Sequence, residues 1–237
     1  MEFVDSTISS VRSAVYNNFF GATNPISTIN GFYESIKSVP DNASILDVGC
    51  GDGIYYTGDK VIALIKAKNL TIHSIDVDDG AVPICQKRIK LSGLSDRVTA
   101  ECIDLMKISR PYDVILFMES FPVIPRGLMA SLIQHAKSIS DELLLFHNLV
   151  EDKNALVEWV KPRIKYFTLV DFGQLTSVEE MEEECLKWGF KHGSFNVEPC
   201  LQCTYRDMHW ALNVPGFGDT LITQYLVSLQ SGRSTSK

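Results

Sequence analysis

The chain lacks any run of 18 consecutive apolar residues, so no segment has the length and apolarity of a membrane-spanning helix. Its first residues, Met1-Glu2-Phe3-Val4-Asp5, are acidic where an export signal would be basic, and the expectation is an unexported, cytoplasmic protein without a membrane partner. Cysteine is sparse. Six in 237 residues do not make a disulfide framework, and Cys200-Leu-Gln-Cys203 has metal-type spacing without a second pair to complete a site. No metal is therefore assigned. Positive charge is also scarce: 22 Lys and Arg against 29 Asp and Glu give a net charge of −7, and the longest run of like charge is the acidic Glu182-Glu183-Glu184. A protein that grips nucleic acid must neutralise several phosphates, so this balance argues against a nucleic-acid partner.

What the sequence does have is apolar mass. Hydrophobic side chains make up 45% of the residues, enough for a chain of this length to bury roughly 70 to 75% of its unfolded surface without staples. Val4, Ile8, Val11, Val15 and Phe19 fall at helical spacing, and a second helical stretch follows Pro25, so residues 1–40 read as an N-terminal helical lid. From residue 44 short apolar runs alternate with amphipathic stretches, the pattern of βαβ units. Strands are expected at about 44–48, 70–75, 98–103, 112–118 and 142–148, with helices at about 54–67, 80–92 and 125–138. Past residue 150 the spacing predicts a helix over 176–188 stopped by Gly189. An antiparallel pair is expected at about 191–198 and 205–213, then a short apolar stretch near 220–229. Residues 41–230 form the main domain in this reading, with 150–175 inserted on the acceptor side and 231–237 a disordered tail.

Chemistry concentrates at Ile45-Leu46-Asp47-Val48-Gly49-Cys50-Gly51-Asp52-Gly53-Ile54, a strand running into three alternate glycines and then a helix. Glycine tolerates positive φ and has no Cβ, so such a bend lets backbone approach a ligand closely. Asp47 and Asp52 would repel a pyrophosphate, and Ile54 stands where the dinucleotide fingerprint wants its third glycine; a cationic ligand fits better.

With these residues the chain resembles the class I S-adenosylmethionine-dependent methyltransferases. The resemblance rests on Asp47-Val48-Gly49-Cys50-Gly51-Asp52-Gly53, on Ser74-Ile75-Asp76 ending the second strand, on Asp104 after the third, and on Tyr112 to Glu119 as the fourth. It spans roughly residues 40–150. It implies a doubly wound, Rossmann-like α/β fold with a seven-stranded, mostly parallel sheet and a terminal antiparallel strand. It also implies S-adenosylmethionine as cofactor, with S-adenosylhomocysteine as product. Residue by residue, Asp76 would accept the ribose hydroxyls with Val77 beside it, and Ile103 and Asp104 would face the adenine. Asp47, Gly49, Cys50 and Gly51 would hold the methionine end, with Met118 alongside and Tyr16 roofing the site from the lid.

Ligands of open α/β sheets bind beyond the carboxyl ends of the strands, where the fourth and fifth carry Glu119 and His147. His147, with an ordinary pKa of about 6.5, is the candidate general base and Glu119 the group that orients it or the acceptor; the two could also share a divalent cation. The Asn-Pro-Pro-Tyr motif carried by resembling adenine or glutamine amino-group methylases is replaced by Met118-Glu119-Ser120-Phe121, and Pro199-Cys200 comes too late for cytosine C5 chemistry. A small hydroxylated acceptor, metabolite or sugar, methylated on oxygen is the expectation. The alternatives are nitrogen on a small molecule or protein side chain, a non-catalytic binding module, and a nicotinamide dehydrogenase.

Overall fold

The computed structural model describes residues 25–120, 124–149, 177–204 and 221–230. Helix α1 (Pro25–Lys37) leads into β1 (Ser44–Val48), followed by α2 (Asp59–Ala67), β2 (Thr71–Asp76), α3 (Ala81–Leu91) and β3 (Val98–Cys102). Then come β4 (Tyr112–Met118), α4 (Arg126–Ile139), β5 (Ser140–Leu149), α5 (Val178–Lys187), β6 (Phe195–Thr204) and β7 (Leu221–Gln230). One seven-stranded sheet runs β3-β2-β1-β4-β5-β7-β6. The first five strands pair in parallel, and β7 inserts antiparallel between β5 and β6. This is the Rossmann-like α/β fold that the resemblance implies.

Alternation along each strand divides the core in two. Ile45, Ile72, Val114, Leu116 and Phe146 pack against α1, α2 and α3, whereas Leu46, Ile75, Ile115, Phe117 and Leu145 pack against α4 and α5. Strand β4 lies at the centre and buries Val114 through Met118 without interruption, as a strand covered on both faces must. Edge strand β3 leaves most of its residues exposed or half-buried.

Helix α1 is part of the first layer. Phe32 and Ile36 are fully buried, and the Phe32 ring stacks on Tyr55 with centroids 4.1 Å apart. The helix sits so close to the sheet that a Cβ on Gly31 would fall 2.6 Å from the Phe146 ring and 2.8 Å from Met118 Cε.

Local signals explain most element ends. Ser177 caps α5 by accepting the Glu180 N–H at 3.1 Å, and Gly189 beyond its end adopts φ +83°. Two differences from the expected elements have clear causes. The helix expected over 54–67 divides into a 3-10 turn, Ile54–Thr57, and α2, because Gly58 is extended and pressed against Ile29 of α1. Among the described residues the antiparallel pair is 195–204 with 221–230, where the expectation was 191–198 with 205–213. A turn at Lys191–Ser194, with Gly193 at φ +83°, delays β6, and the apolar stretch near 220–229 proves to be its partner. Residues 205–213 themselves, like most of the lid, the 150–175 insertion and the tail, lie outside the described residues. Among the described residues no helix is long and apolar enough to cross a membrane.

Candidate functional site

Strand order reverses between β1 and β4, and the crevice of a doubly wound sheet opens at the carboxyl ends of such a pair. The glycine bend leaves β1 at that point. Gly49, Gly51 and Gly53 adopt φ of +78°, +52° and +64°. The bend is pinned to β2 by N–H groups of Gly49 and Cys50, which donate to the Ile75 carbonyl at 2.8 and 3.1 Å. Glycine is required at position 49 for space as well as for φ: a Cβ there would lie 2.7 Å from Ser120 Cβ at the end of β4. At Gly51 the same construction meets nothing within 4 Å, so the bend has open space in front of it.

Asp76 ends β2 beside this opening. Its Oδ2 accepts the Gly51 N–H at 2.7 Å and its Oδ1 accepts the Asp78 N–H at 3.0 Å, which fixes the carboxylate against the bend with lone pairs still available. Val77 follows with 55% of its surface exposed, an apolar side chain in solvent at the rim. Ile103 is half-buried and tied to β2 through its N–H to the Asp76 carbonyl at 2.9 Å. Asp104 is exposed, and its Oδ1 caps the turn over Leu105–Lys107 by accepting the Met106 N–H at 2.9 Å. Met118 is buried among α1 and the strand ends. Asp76, Val77, Ile103 and Asp104 thus come together along one edge of the opening, as a binding wall requires. Tyr16 lies outside the described residues.

Asp47 departs from its expected place. It is fully buried in a cluster of hydroxyls, and its Oδ2 accepts from Tyr55 at 2.5 Å, Tyr56 at 2.9 Å and Ser74 at 3.1 Å. Oδ1 has no partner. Burial pushes this carboxyl up to about 6, against the three hydrogen bonds that pull it down, and the nearby Asp76 adds to the rise. In this structure the Asp47 side chain has no exposed surface to offer a ligand. Cys50 is equally enclosed at 3% exposure, and contact with Cys85 and burial hold its thiol far above the ordinary range, so only its backbone is offered to a ligand. Asp52 is paired with Arg88 at 2.5 Å. The charge that faces the opening is therefore that of Asp76 rather than of Asp47 and Asp52.

At the other side of the opening, Glu119 follows β4 with φ +51°, a left-handed backbone held by its N–H to the Phe146 carbonyl at 3.0 Å. Its Oε1 accepts from Gln224 Nε2 of β7 at 3.3 Å, and the same amide group donates to Ser27 Oγ of α1 at 3.1 Å. The β4–β5 register brings Glu119 beside His147, whose backbone pairs with Tyr225; the His147 side chain lies outside the described residues. Gln224, Ser27 and Ser120 were not singled out in the sequence. Gln224 had one visible sign, a polar residue among the apolar positions of β7, where Thr223 and Ser228 are polar too. The Ser120 hydroxyl is buried beside Gly49 without a partner. Among the described residues no group of three or more His, Cys, Asp and Glu could hold a metal ion.

Open space at the bend, a fixed carboxylate beside it and an unpartnered buried hydroxyl across from it fit a ligand that is uncharged or cationic rather than anionic.

No family model matches the chain. The ribosomal protein L11 methyltransferase of Gloeobacter violaceus is 33% identical over 82 residues, 35% of this chain and 24% of that protein. The tRNA1(Val) (adenine(37)-N6)-methyltransferase of Shewanella sediminis is 28% identical over 93 residues, 39% of this chain and 36% of that protein. The chain thus spans about a quarter to a third of the length of these curated relatives. Among solved structures, the magnesium protoporphyrin IX methyltransferase of Synechocystis PCC 6803, with S-adenosylhomocysteine bound, superposes with a TM-score of 0.55 at 17% identity over 97% of both chains.

Proposed function

We propose that this chain is a class I S-adenosylmethionine-dependent methyltransferase, as its partial sequence likeness to curated methyltransferases and its fold support, and that it binds S-adenosylmethionine and transfers the methyl group to oxygen on a small hydroxylated acceptor. The observation that carries the cofactor assignment is the Gly51 N–H to Asp76 bond at 2.7 Å, which fixes an acceptor-only carboxylate beside a bend with open space before it. An ionised carboxylate suits a ribose diol, since it accepts from both hydroxyls, and it would repel a phosphate.

When bound, the cofactor supplies a methyl group already activated for in-line displacement. The chain must align the acceptor, exclude water and take a proton from a hydroxyl acceptor. Asp76, Val77, Ile103 and Asp104 hold the nucleoside along one edge, and the Gly49–Gly51 backbone holds the amino-acid end. Glu119, locked by Gln224, accepts a hydrogen bond from the acceptor, and His147 beside it takes the proton.

Nitrogen on a small molecule or a protein side chain is the second reading, and the sequence identity to a ribosomal protein L11 methyltransferase supports its protein acceptor. Adenine N6 is disfavoured by Met118-Glu119-Ser120-Phe121 in place of the motif of resembling adenine methylases. Calorimetry with S-adenosylmethionine and S-adenosylhomocysteine tests the cofactor; no heat with either would remove it, and tight NADH binding instead would establish a dehydrogenase. A screen of hydroxylated metabolites, amines and ribosomal proteins with a labelled methyl donor tests the acceptor. Label appearing on protein alone would overturn the small-molecule reading. His147→Ala is expected to abolish turnover while cofactor binding persists, and wild-type rates in that variant would remove it as the base.

A further inference from the structure

Asp47 is a carboxylate placed where charge is expensive, one residue before the strand end that feeds the glycine bend, and it touches no ligand surface. The groups around it are identifiable. Tyr55 and Tyr56 face it from the 3-10 turn, Ser74 and Asp76 from β2, and the Cys50 thiol from the bend. From α1 the apolar ring of Phe32 stacks on Tyr55, and the Arg88–Asp52 pair lies on the half-exposed side of the bend. No cation compensates the carboxylate among these groups. Its three hydrogen bonds all end on Oδ2, and Oδ1 is left buried without a donor. An ionised carboxylate in that setting is under-compensated, and a positive charge arriving in the crevice would supply what the protein does not.

A second feature ties this charge to the bend. The Tyr55 hydroxyl lies 2.5 Å from Asp47 Oδ2 and 3.3 Å from the Cys50 carbonyl oxygen, and it has one proton. With Asp47 ionised, Tyr55 donates to the carboxylate. With Asp47 protonated, the acid donates to the tyrosine oxygen, and the tyrosine proton turns to the Cys50 carbonyl within the bend itself. Tyr56 and Ser74, whose oxygens are 2.6 Å apart, can reorganise their protons in the same way.

We propose that Asp47 is a positioning residue whose charge is linked to the cofactor: in mildly acid solution it carries a proton in the empty enzyme, and it releases that proton to solvent when a cationic sulfonium and ammonium enter the crevice. This rests on the cofactor assignment above. Binding then senses the charge of the ligand through the protein's own buried acid. S-adenosylmethionine, with its sulfonium, draws the proton off more completely than S-adenosylhomocysteine, which retains the ammonium alone.

Isothermal calorimetry in two buffers of different ionisation enthalpy reads both affinity and proton release. For the wild type, affinity for S-adenosylmethionine is expected to fall about tenfold from about pH 7.5 to about pH 5, because each unit by which the bound cofactor lowers the acid's pKa is about a factor of ten. Release of about half a proton is expected near pH 6. The fall should be smaller for S-adenosylhomocysteine. Asp47→Asn should bind with affinity flat over the same range, and Tyr55→Phe, which removes one donor to the carboxylate, should move the wild-type midpoint to higher pH. A wild-type affinity that does not change with pH overturns the proposal, as does the same pH dependence persisting in Asp47→Asn. If Asp47→Asn does not fold, an unmoved midpoint in Tyr55→Phe overturns it. Absence of S-adenosylmethionine binding at every pH would instead overturn the cofactor assignment itself, and the linkage with it.

Discussion

The two sides of the crevice are built on different plans. The proposed cofactor side is the more local: Asp47 to Tyr56 form strand, bend and turn in ten successive residues, β2 supplies Ser74 and Asp76, and the end of β3 adds Ile103 and Asp104. The acceptor side is assembled from far-apart segments, Ser27 of α1, Glu119 after β4 and Gln224 of β7, with 197 positions between the first and the last. The cofactor side works mainly through backbone geometry, which three glycines make possible. The acceptor side works through side chains held by other side chains. A backbone-built site suits a ligand common to many enzymes, and a side-chain-built site can change with its substrate while the sheet stays the same.

The contrast is sharpest in what single substitutions should do. Gly49→Ala asks for a side chain at φ +78° and 2.7 Å from Ser120 Cβ, so it should lower stability by about 2–4 kcal/mol. Thermal unfolding checks this, and an unchanged midpoint would show that the bend has room to relax. Asp76→Ala should weaken S-adenosylmethionine binding at least tenfold, from the ~1.5–3 kcal/mol of hydrogen bonds to a charged group. Unchanged affinity would mean that the ribose is held elsewhere. Gln224→Leu should destabilise the fold by about 1–3 kcal/mol, since it leaves Ser27 and Glu119 without a buried amide. Its affinity for S-adenosylmethionine should stay within about twofold of wild type. Loss of cofactor affinity in this variant would break the separation of the two sides.

The smallest effect concerns Asp47 and pH. Its carboxyl titrates near 6 in the folded chain against an ordinary 3.8, so between these values the folded state holds more protons than the unfolded one. Stability contributed by this group is therefore greatest below the lower value, declines as pH rises through the window, and the full penalty is present above about 6. Asp47→Asn should raise the unfolding free energy by on the order of 1–2 kcal/mol at about pH 8 and by less at about pH 4.5. Denaturant unfolding at the two pH values checks the difference. A larger gain at the lower pH would reverse the sign and show that the carboxylate is well compensated.

The legibility of the molecule follows the same division. Strands β1 and β4 were readable to the residue, because continuous apolar runs bounded by Asp-Asn-Ala and Arg-Pro on one side and by glycine or an acid on the other leave little freedom in register. Helices α3, α4 and α5 were readable within a residue or two from spacing and caps. The placement of Asp76, Ile103 and Asp104 at the ends of β2 and β3 was readable from the strand pattern. The role of Asp47 was not. Alternation places its side chain on the α1–α3 face, but only the neighbouring Tyr55, Tyr56 and Ser74 show that the face is closed over it. Strand β7 was misjudged for a similar reason. Thr223, Gln224 and Ser228 interrupt its apolar run, and that run becomes a strand only because β5 and β6 offer it two ladders.

By itself, then, the sequence determined most of the strands and helices and the glycine bend. These depend on residues close together in the chain, whose φ preferences, periodicity and charge act locally. The tertiary structure alone decided which carboxylates face solvent and which face the core, and which remote side chains meet at the acceptor side. Burial and long-range contact are properties of the packed sheet and its layers, and no local pattern encodes the desolvation of Asp47 or the meeting of Ser27, Glu119 and Gln224.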